Sequence, residues 1–314
     1  MKRNIVLSVV LAVLLFASCK NEDITMQRKM NVNFIVDPSE VISGFDHEIE
    51  GDEFWSLSSD YRLQIHLLVY DDMGQLADST IDYLSDYQNT KKMQLKLWVG
   101  EYTAVAITDV VKYDDDATKY WNITETNSLS SLKISVSDAG NSVSDGKYKI
   151  LGISNHSFNV NVREELIDDT IQVDTIQVKP AGALVHVKAS NIHYFDSDSV
   201  VSYQLCTNKS ADCCTFNGDG NFVVEPKENH TGQLGQFKPQ GLSKEHQYYD
   251  FVLPLGQTVL RWYGTINEDN WLQEGEEMTA DIRRGDEYLV CFKLGSGDET
   301  IAQIFPVHGG KVSE

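Results

Sequence analysis

Basic residues are scarce in this 314-residue chain: Lys and Arg number 26 against 47 Asp and Glu, a formal charge of −21 at pH 7. A surface of that sign repels phosphate backbones and opposes binding to anionic lipid by charge alone, which sets nucleic-acid functions aside. Proline is rare too, with six residues. No low-complexity block occurs, and no repeat with a period of about 20 to 50 residues, which excludes solenoids and arrays. Catalytic signatures are missing: there is no GxSxG, HExxH or GxxxxGKS/T. Long amphipathic helical patterns are absent, and past the N-terminus so are long apolar runs.

The one long apolar run stands at the start. Lys2 and Arg3 precede Ile5 to Phe16, broken only by Ser8, and the small residues Ala17 and Ser18 lead to Cys19. A positive start, an apolar stretch of about a dozen residues and small residues before a cut describe a secretory signal peptide. The run is shorter than the roughly 20 residues of a membrane-spanning helix. Leu15-Phe16-Ala17-Ser18-Cys19 resembles the lipobox of bacterial lipoproteins. That resemblance implies removal of residues 1–18, a diacylglycerol and a further acyl chain such as palmitate on Cys19, and anchoring in the outer membrane through lipid. Several chains hold where one alone is marginal. Lys20-Asn21-Glu22-Asp23 resembles the surface-export signal of Bacteroides-type lipoproteins, and residues 19–29 read as a tether.

Without Lys2 and Arg3 the processed chain keeps 24 basic and 47 acidic residues, a charge of −23. Its length exceeds one typical domain, so two are expected. Four further cysteines, Cys206, Cys213, Cys214 and Cys291, all fall in the second half. Disulfides form in exported proteins, so at least one is expected among them. Four cysteines allow three full pairings, and the spacing does not choose. A zinc site would need a CxxC pair or histidines at ligand spacing, which are lacking.

Alternation with period two dominates the rest. Val32, Phe34 and Val36 alternate with polar neighbours over Asn31 to Asp37; Leu63, Ile65, Leu67 and Val69 do so over Arg62 to Val69; Met93, Leu95, Leu97 and Val99 follow the same rule. This is the signature of half-buried strands. Turn chemistry separates them at Asp71-Asp72-Met73-Gly74 and Gly100-Glu101. Further strands are expected at 102–110, 149–153, 157–162 and 171–178. After Pro180-Ala181-Gly182 a second series begins, at 183–189, 200–205, 222–225, 248–253, 259–266, 278–282, 288–294 and 301–307. Many short strands separated by turns predict an all-β fold of sandwiches. The domain boundary falls at Pro180, giving 30–179 and 180–314. Asp109 to Leu132, rich in Asp, Thr and Asn, is expected to be a long exposed loop or a short helix.

Chemistry-bearing residues are sparse. His66 and His186 stand at alternating positions that should face solvent, and they read as surface residues. Asp114-Asp115-Asp116 and Asn217 to Asn221 suggest calcium, but the latter segment has Phe222 where an EF-hand loop needs glycine, so both are read as solvated turns. Trp55, Trp98, Trp121, Trp262 and Trp271 could include a sugar-stacking platform, though packing accounts for them more simply. Neither a metal nor a cofactor is implied.

Arg62 to Leu76, Leu95 to Ala106, Leu184 to Ala189 and Gly285 to Leu294 together resemble, in order and spacing, the strands of fimbrillin-like outer-membrane lipoproteins of Bacteroides-type bacteria. The similarity covers most of residues 30–305. It implies two transthyretin-like β-sandwiches in tandem, no enzyme activity, and a structural and adhesive role in surface pili assembled by donated strands. Within that group the chain is most similar to anchor and accessory subunits, whose partners are other pilus subunits joined by strand addition. Stem subunits are matured by a trypsin-like cut after their first strand. Here Asp37 to Tyr61 has no Lys or Arg, and Arg62 abuts the next strand. The strand holding Val32, Phe34 and Val36 is therefore expected to stay and fill a groove between sheets. Only Ile301 to Val307 is strand-like near the end, where stem subunits carry a longer donor segment. The alternative is a surface lipoprotein that captures glycans or another host ligand.

Overall fold

A computed structural model describes residues 29–43, 45, 57–113, 119–137, 146–161, 170–190, 202–217, 220–237, 245–267, 270–294, 300–308 and 311–312. The described residues are almost entirely β. The first half carries β1 (Met30–Asp37), β2 (Tyr61–Asp71), β3 (Leu76–Leu84), β4 (Lys91–Leu97), β5 (Gly100–Lys112), β6 (Trp121–Thr124), β7 (Lys133–Val136), β8 (Leu151–Val160), β9 (Thr170–Gln172), β10 (Ile176–Gln177) and β11 (Lys179–Pro180). The second carries β12 (Ala183–Ser190), β13 (Ser202–Ser210), β14 (Cys213–Phe216), β15 (Phe222–Val224), β16 (Lys227–Phe237), β17 (Glu245–Val252), β18 (Gly256–Asn267), β19 (Asn270–Ile282), β20 (Glu287–Leu294), β21 (Thr300–His308) and β22 (Lys311–Val312). One turn of helix, α1 (Glu40–Ser43), follows β1, and Gly146–Lys149 forms a single 3-10 turn.

The strands make five sheets. β1 lies between β4 on one side and β9 and β10 on the other; the central sheet of the first half runs β11-β8-β5-β2-β3. Its Leu63, Ile65, Leu67 and Val69 face one way, and Gln64, His66, Leu68 and Tyr70 the other. All eight are buried, so this sheet is covered on both faces. The first face shares a core with Val32, Phe34 and Val36. The second shares it with Trp121, Leu132, Ile134, Cys214 and Phe216, carried by the sheet β15-β14-β7-β6. That covering sheet joins the two halves, since Cys213 pairs with Ser135 and Cys214 with Ile134.

The remaining sheets run β17-β12-β20-β21-β22 and β16-β13-β18-β19. β12 pairs in parallel with β20 and antiparallel with β17, and its apolar run Ala183 to Val185 is buried without alternation, as expected of a strand covered on both faces. Val185 and Val187 join Trp262 and Val290 in the second core, whereas Leu184 and Phe251 belong to the first. A seam between the halves is built on Gly146, where a Cβ would come within 2.1 Å of the Tyr249 carbonyl. Beside it Lys149 Nζ meets Asp250 Oδ1 at 2.9 Å.

Several strands depart from the sequence reading. The strands expected at 149–153 and 157–162 merge into one, β8, over Leu151–Val160, because Ser154, Asn155 and His156 continue the ladder against Ala106, Val105 and Ala104. The stretch 109–132 is not a simple loop: β5 runs on to Lys112, and Trp121–Thr124 pairs with Lys133–Val136. β3, β14 and β16 were not expected.

Candidate functional site

The first strand is the feature on which function turns. Its residues alternate between fully buried and half-buried along the whole length. Val32, Phe34 and Val36 are each 0% exposed. The Phe34 ring meets Phe158 edge-to-face, centroids 5.3 Å apart. On the polar face Gln94 Nε2 donates to Asn33 Oδ1 at 2.8 Å. The Val173 amide donates to the Asn33 carbonyl at 3.0 Å and the Val178 amide to the Asp37 carbonyl at 2.9 Å. β1 runs antiparallel to β4 from Met30↔Leu97 to Val36↔Lys91, and parallel to β9 and β10. It is thus an interior strand of its sheet.

Asp37 closes the strand. Burial alone would push its carboxyl up, but hydrogen bonds from Ser39 and from Gln177 outweigh that and hold it below the usual carboxylate range. The Ser39 amide donates to Asp37 Oδ1 at 3.0 Å, an Asx turn that leads into α1. Arg62, the sole trypsin-type site near the next strand, lies within β2 opposite Val111 of β5. Its guanidinium stands 3.6 Å from the centre of the Tyr83 ring. Cys19 and the tether up to Arg28 lie outside the described residues.

The other candidates are dispersed. The expected disulfide is not formed: none of Cys206, Cys213, Cys214 and Cys291 is bonded to another. They stand on β13, β14 and β20, in three different sheets, and the neighbours Cys213 and Cys214 point to opposite faces. His66 and His186 are buried, 8% and 4% exposed, not on the surface, because the faces that should meet water are covered by the sheet shared between the halves and by the seam. His66 Nε2 donates to Gln64 Oε1 at 2.8 Å and lies 3.9 Å from Asp109 Oδ1. Burial, and next the charge of Lys119, push its pKa down to about 4. His186 stacks on Tyr249 with centroids 4.2 Å apart.

Of the tryptophans, Trp121 and Trp262 are buried and Trp98 is 45% exposed; Trp55 and the Trp271 side chain lie outside the described residues, as do Asp114 to Asp116. Asn217 Oδ1 accepts the Asn221 amide at 2.8 Å, turn chemistry that joins β14 to β15. A polar cavity of about 350 Å³ opens beside β8 and β10, lined in part by His156, Gln177, Lys179 and Arg284. Arg284 spends its donors on the carbonyls of Pro180 and Ile153, both at 2.6 Å, so it ties the halves together. Nothing in the sequence pattern marked this cavity, because its residues come from three separate segments.

The sequence matches no family profile and no curated relative. Solved structures do share its fold. The fimbrial anchor protein Mfa2 from Porphyromonas gingivalis superposes with a TM-score of 0.50 at 12% identity, over 90% of this chain and 98% of that one. A candidate polysaccharide-binding protein from Bacteroides thetaiotaomicron gives 0.52 at 14%, over 90% and 97%. A candidate adhesin from the same organism gives 0.52 at 13%, over 88% and 96%. The chain therefore has the fold of fimbrial anchor and Bacteroides adhesin structures, along nearly its entire length.

Proposed function

We propose that this chain is a surface lipoprotein of the outer membrane, held by acylated Cys19, that serves as an anchor or accessory subunit of a strand-assembled pilus. It comprises two transthyretin-like sandwiches in tandem, meeting near Pro180, and has a structural and adhesive role with no catalytic one. The observation that carries this reading is the state of β1. The strand nearest the lipid is an interior strand with its apolar side chains fully buried, so cutting it away would break the first core. A subunit that must keep its lipid needs that arrangement. The late strand β21 is likewise paired within the chain's own sheet, against β20 and β22. Likeness to a fimbrial anchor fold supports the same assignment.

The experiment is fractionation of the native host. Wild type should carry acyl mass on Cys19, sediment with outer membrane and co-purify with pilus fibres, while Cys19→Ala should be released. A wild-type chain lacking acyl mass, or never found with fibres, would overturn the reading. Glycan capture remains the second reading because of the likeness to a candidate polysaccharide-binding protein. Of the tryptophans whose side chains are described, it has only Trp98 to offer as a platform. Glycan-array binding that is lost on Trp98→Ala would favour it.

A further inference from the structure

Among the described residues, five large apolar side chains are strongly exposed: Met73 (81%), Ile81 (51%), Trp98 (45%), Val99 (47%) and Tyr113 (46%). Single exposed apolar residues are ordinary. Three of these, however, share one end of the first sandwich. The register pairs Asp71 with Tyr102, Gly100 with Val160 and Met30 with Leu97. Met73, just past β2, and Trp98-Val99, just past β4, therefore project from the same end as the start of β1. That is where the tether arrives: Lys29 Nζ lies 5.6 Å from the centre of the Trp98 ring.

Both turns are held firmly. The Asp71 carboxylate accepts the amides of Met73 at 3.0 Å and Gln75 at 2.8 Å, with Gly74 at φ +72°. In the other turn the Tyr102 hydroxyl donates to the Trp98 carbonyl at 3.0 Å. The apolar tips are thus presented by rigid loops. The ten residues from Lys20 to Lys29 reach at most about 35 Å fully extended, so lipid on Cys19 keeps this end close to a bilayer.

We propose that this end, through Trp98, Val99 and Met73, docks on the same membrane that holds the lipid anchor and fixes the orientation of the first sandwich above it. The occupant is the interfacial zone of a bilayer, where tryptophan is favoured because its ring is apolar and its N–H polar. Apolar tips enter that zone to a depth of about 5–10 Å. Asp72 and Glu101 flank the tips, so the surface suits zwitterionic headgroups and opposes anionic ones. This inference rests on the lipidation proposed above.

The test uses full-length acylated protein, its Cys19 mass confirmed, in phosphatidylcholine vesicles with ordinary or brominated chains. The wild-type emission minus that of Trp98→Phe isolates Trp98 from the other tryptophans. That difference should be quenched in brominated vesicles and restored in Val99→Asp, an exposed turn substitution that leaves the core intact. Equal emission in both vesicle types, with the protein acylated and bound, overturns docking and leaves the anchor reading standing. Absence of acyl mass overturns both. Shielding of Trp98 only when pilus subunits are added assigns this end to a protein partner and refutes the proposal.

Discussion

Replacing Phe34 with alanine tests whether β1 is as integral as its burial says. The ring is 0% exposed, sits at the middle of the strand opposite Met93, and meets Phe158 edge-to-face. Returning such a ring to water costs about 2–3 kcal/mol. The void left behind, on the order of 100 Å³, adds up to about 2 kcal/mol where the walls cannot close in. The lost aromatic pair contributes about 1 kcal/mol more. Partial relaxation brings the expected loss to about 3–5 kcal/mol. Urea titration read by near-ultraviolet dichroism and by tryptophan emission measures it, Trp121 reporting on the first core and Trp262 on the second. Asn33→Ala is the matched control one position away. It removes a bond on the partly exposed face and should cost no more than about 1 kcal/mol. Equal losses for the two variants would show that β1 is only laid over the surface, and the argument for a retained strand would fall.

Limited trypsin digestion of folded protein should cut after Arg28 or Lys29 and spare Arg62, whose backbone is paired within β2; rapid release of residues 31–62 would mark a stem-type subunit instead. Stability should fall on acidification through the His66 titration. The unfolded chain takes up a proton near the ordinary value of 6.5 while the folded one resists until about 4, so up to about 3 kcal/mol is lost between those limits and no more below them; His66→Gln should flatten the profile of urea midpoint against pH. Cys206 and Cys214, whose thiols burial pushes up, should resist alkylation in the folded state, with no disulfide found by mass mapping. Gly182→Ala should destabilise the fold, because its Cβ would come within 2.2 Å of the Val252 carbonyl; an unchanged urea midpoint would show that the backbone there can give way.

What the sequence made legible was the alternation of strands with one buried face. β1, β4 and the inner face of β2 could be read residue by residue, because period two in the chain maps directly onto inside and outside. The same rule failed where a second layer covers the other face. His66 sits at an outward position of β2, yet β6, β7, β14 and β15 lie over it; those strands come from residues 121–136 and 213–224, and no local pattern announces a pairing across that separation. His186 is buried for a parallel reason, with Tyr249 stacked on it at the seam. The strands that escaped notice were either four residues or fewer, like Cys213–Phe216, or too polar to alternate visibly, like Leu76–Leu84 at the edge of its sheet. The cysteines were expected to pair because all four fall in one half of an exported chain, but the fold distributes them over three different sheets, which no local pattern shows.

The shared sheet also bears on how the two halves of the chain hold together. A boundary at Pro180 divides the chain by pattern, but in space β14 of the second half completes the cover over the central sheet of the first. Leu184, Phe251 and Leu253 belong to the first core. Arg284, from the turn before β20, ties the Ile153 and Pro180 carbonyls, and Lys149 reaches across to Asp250. The halves are therefore joined by a β-ladder, a shared apolar core and charged bonds at once. Two sandwiches linked only by a strand would swing about that link. With this seam, displacement of the second half must break backbone pairing and uncover apolar surface together. Under the proposed anchoring, load entering through β1 can pass to the second half only if the seam resists displacement, and there a backbone ladder, a shared core and an ion pair would have to give way together.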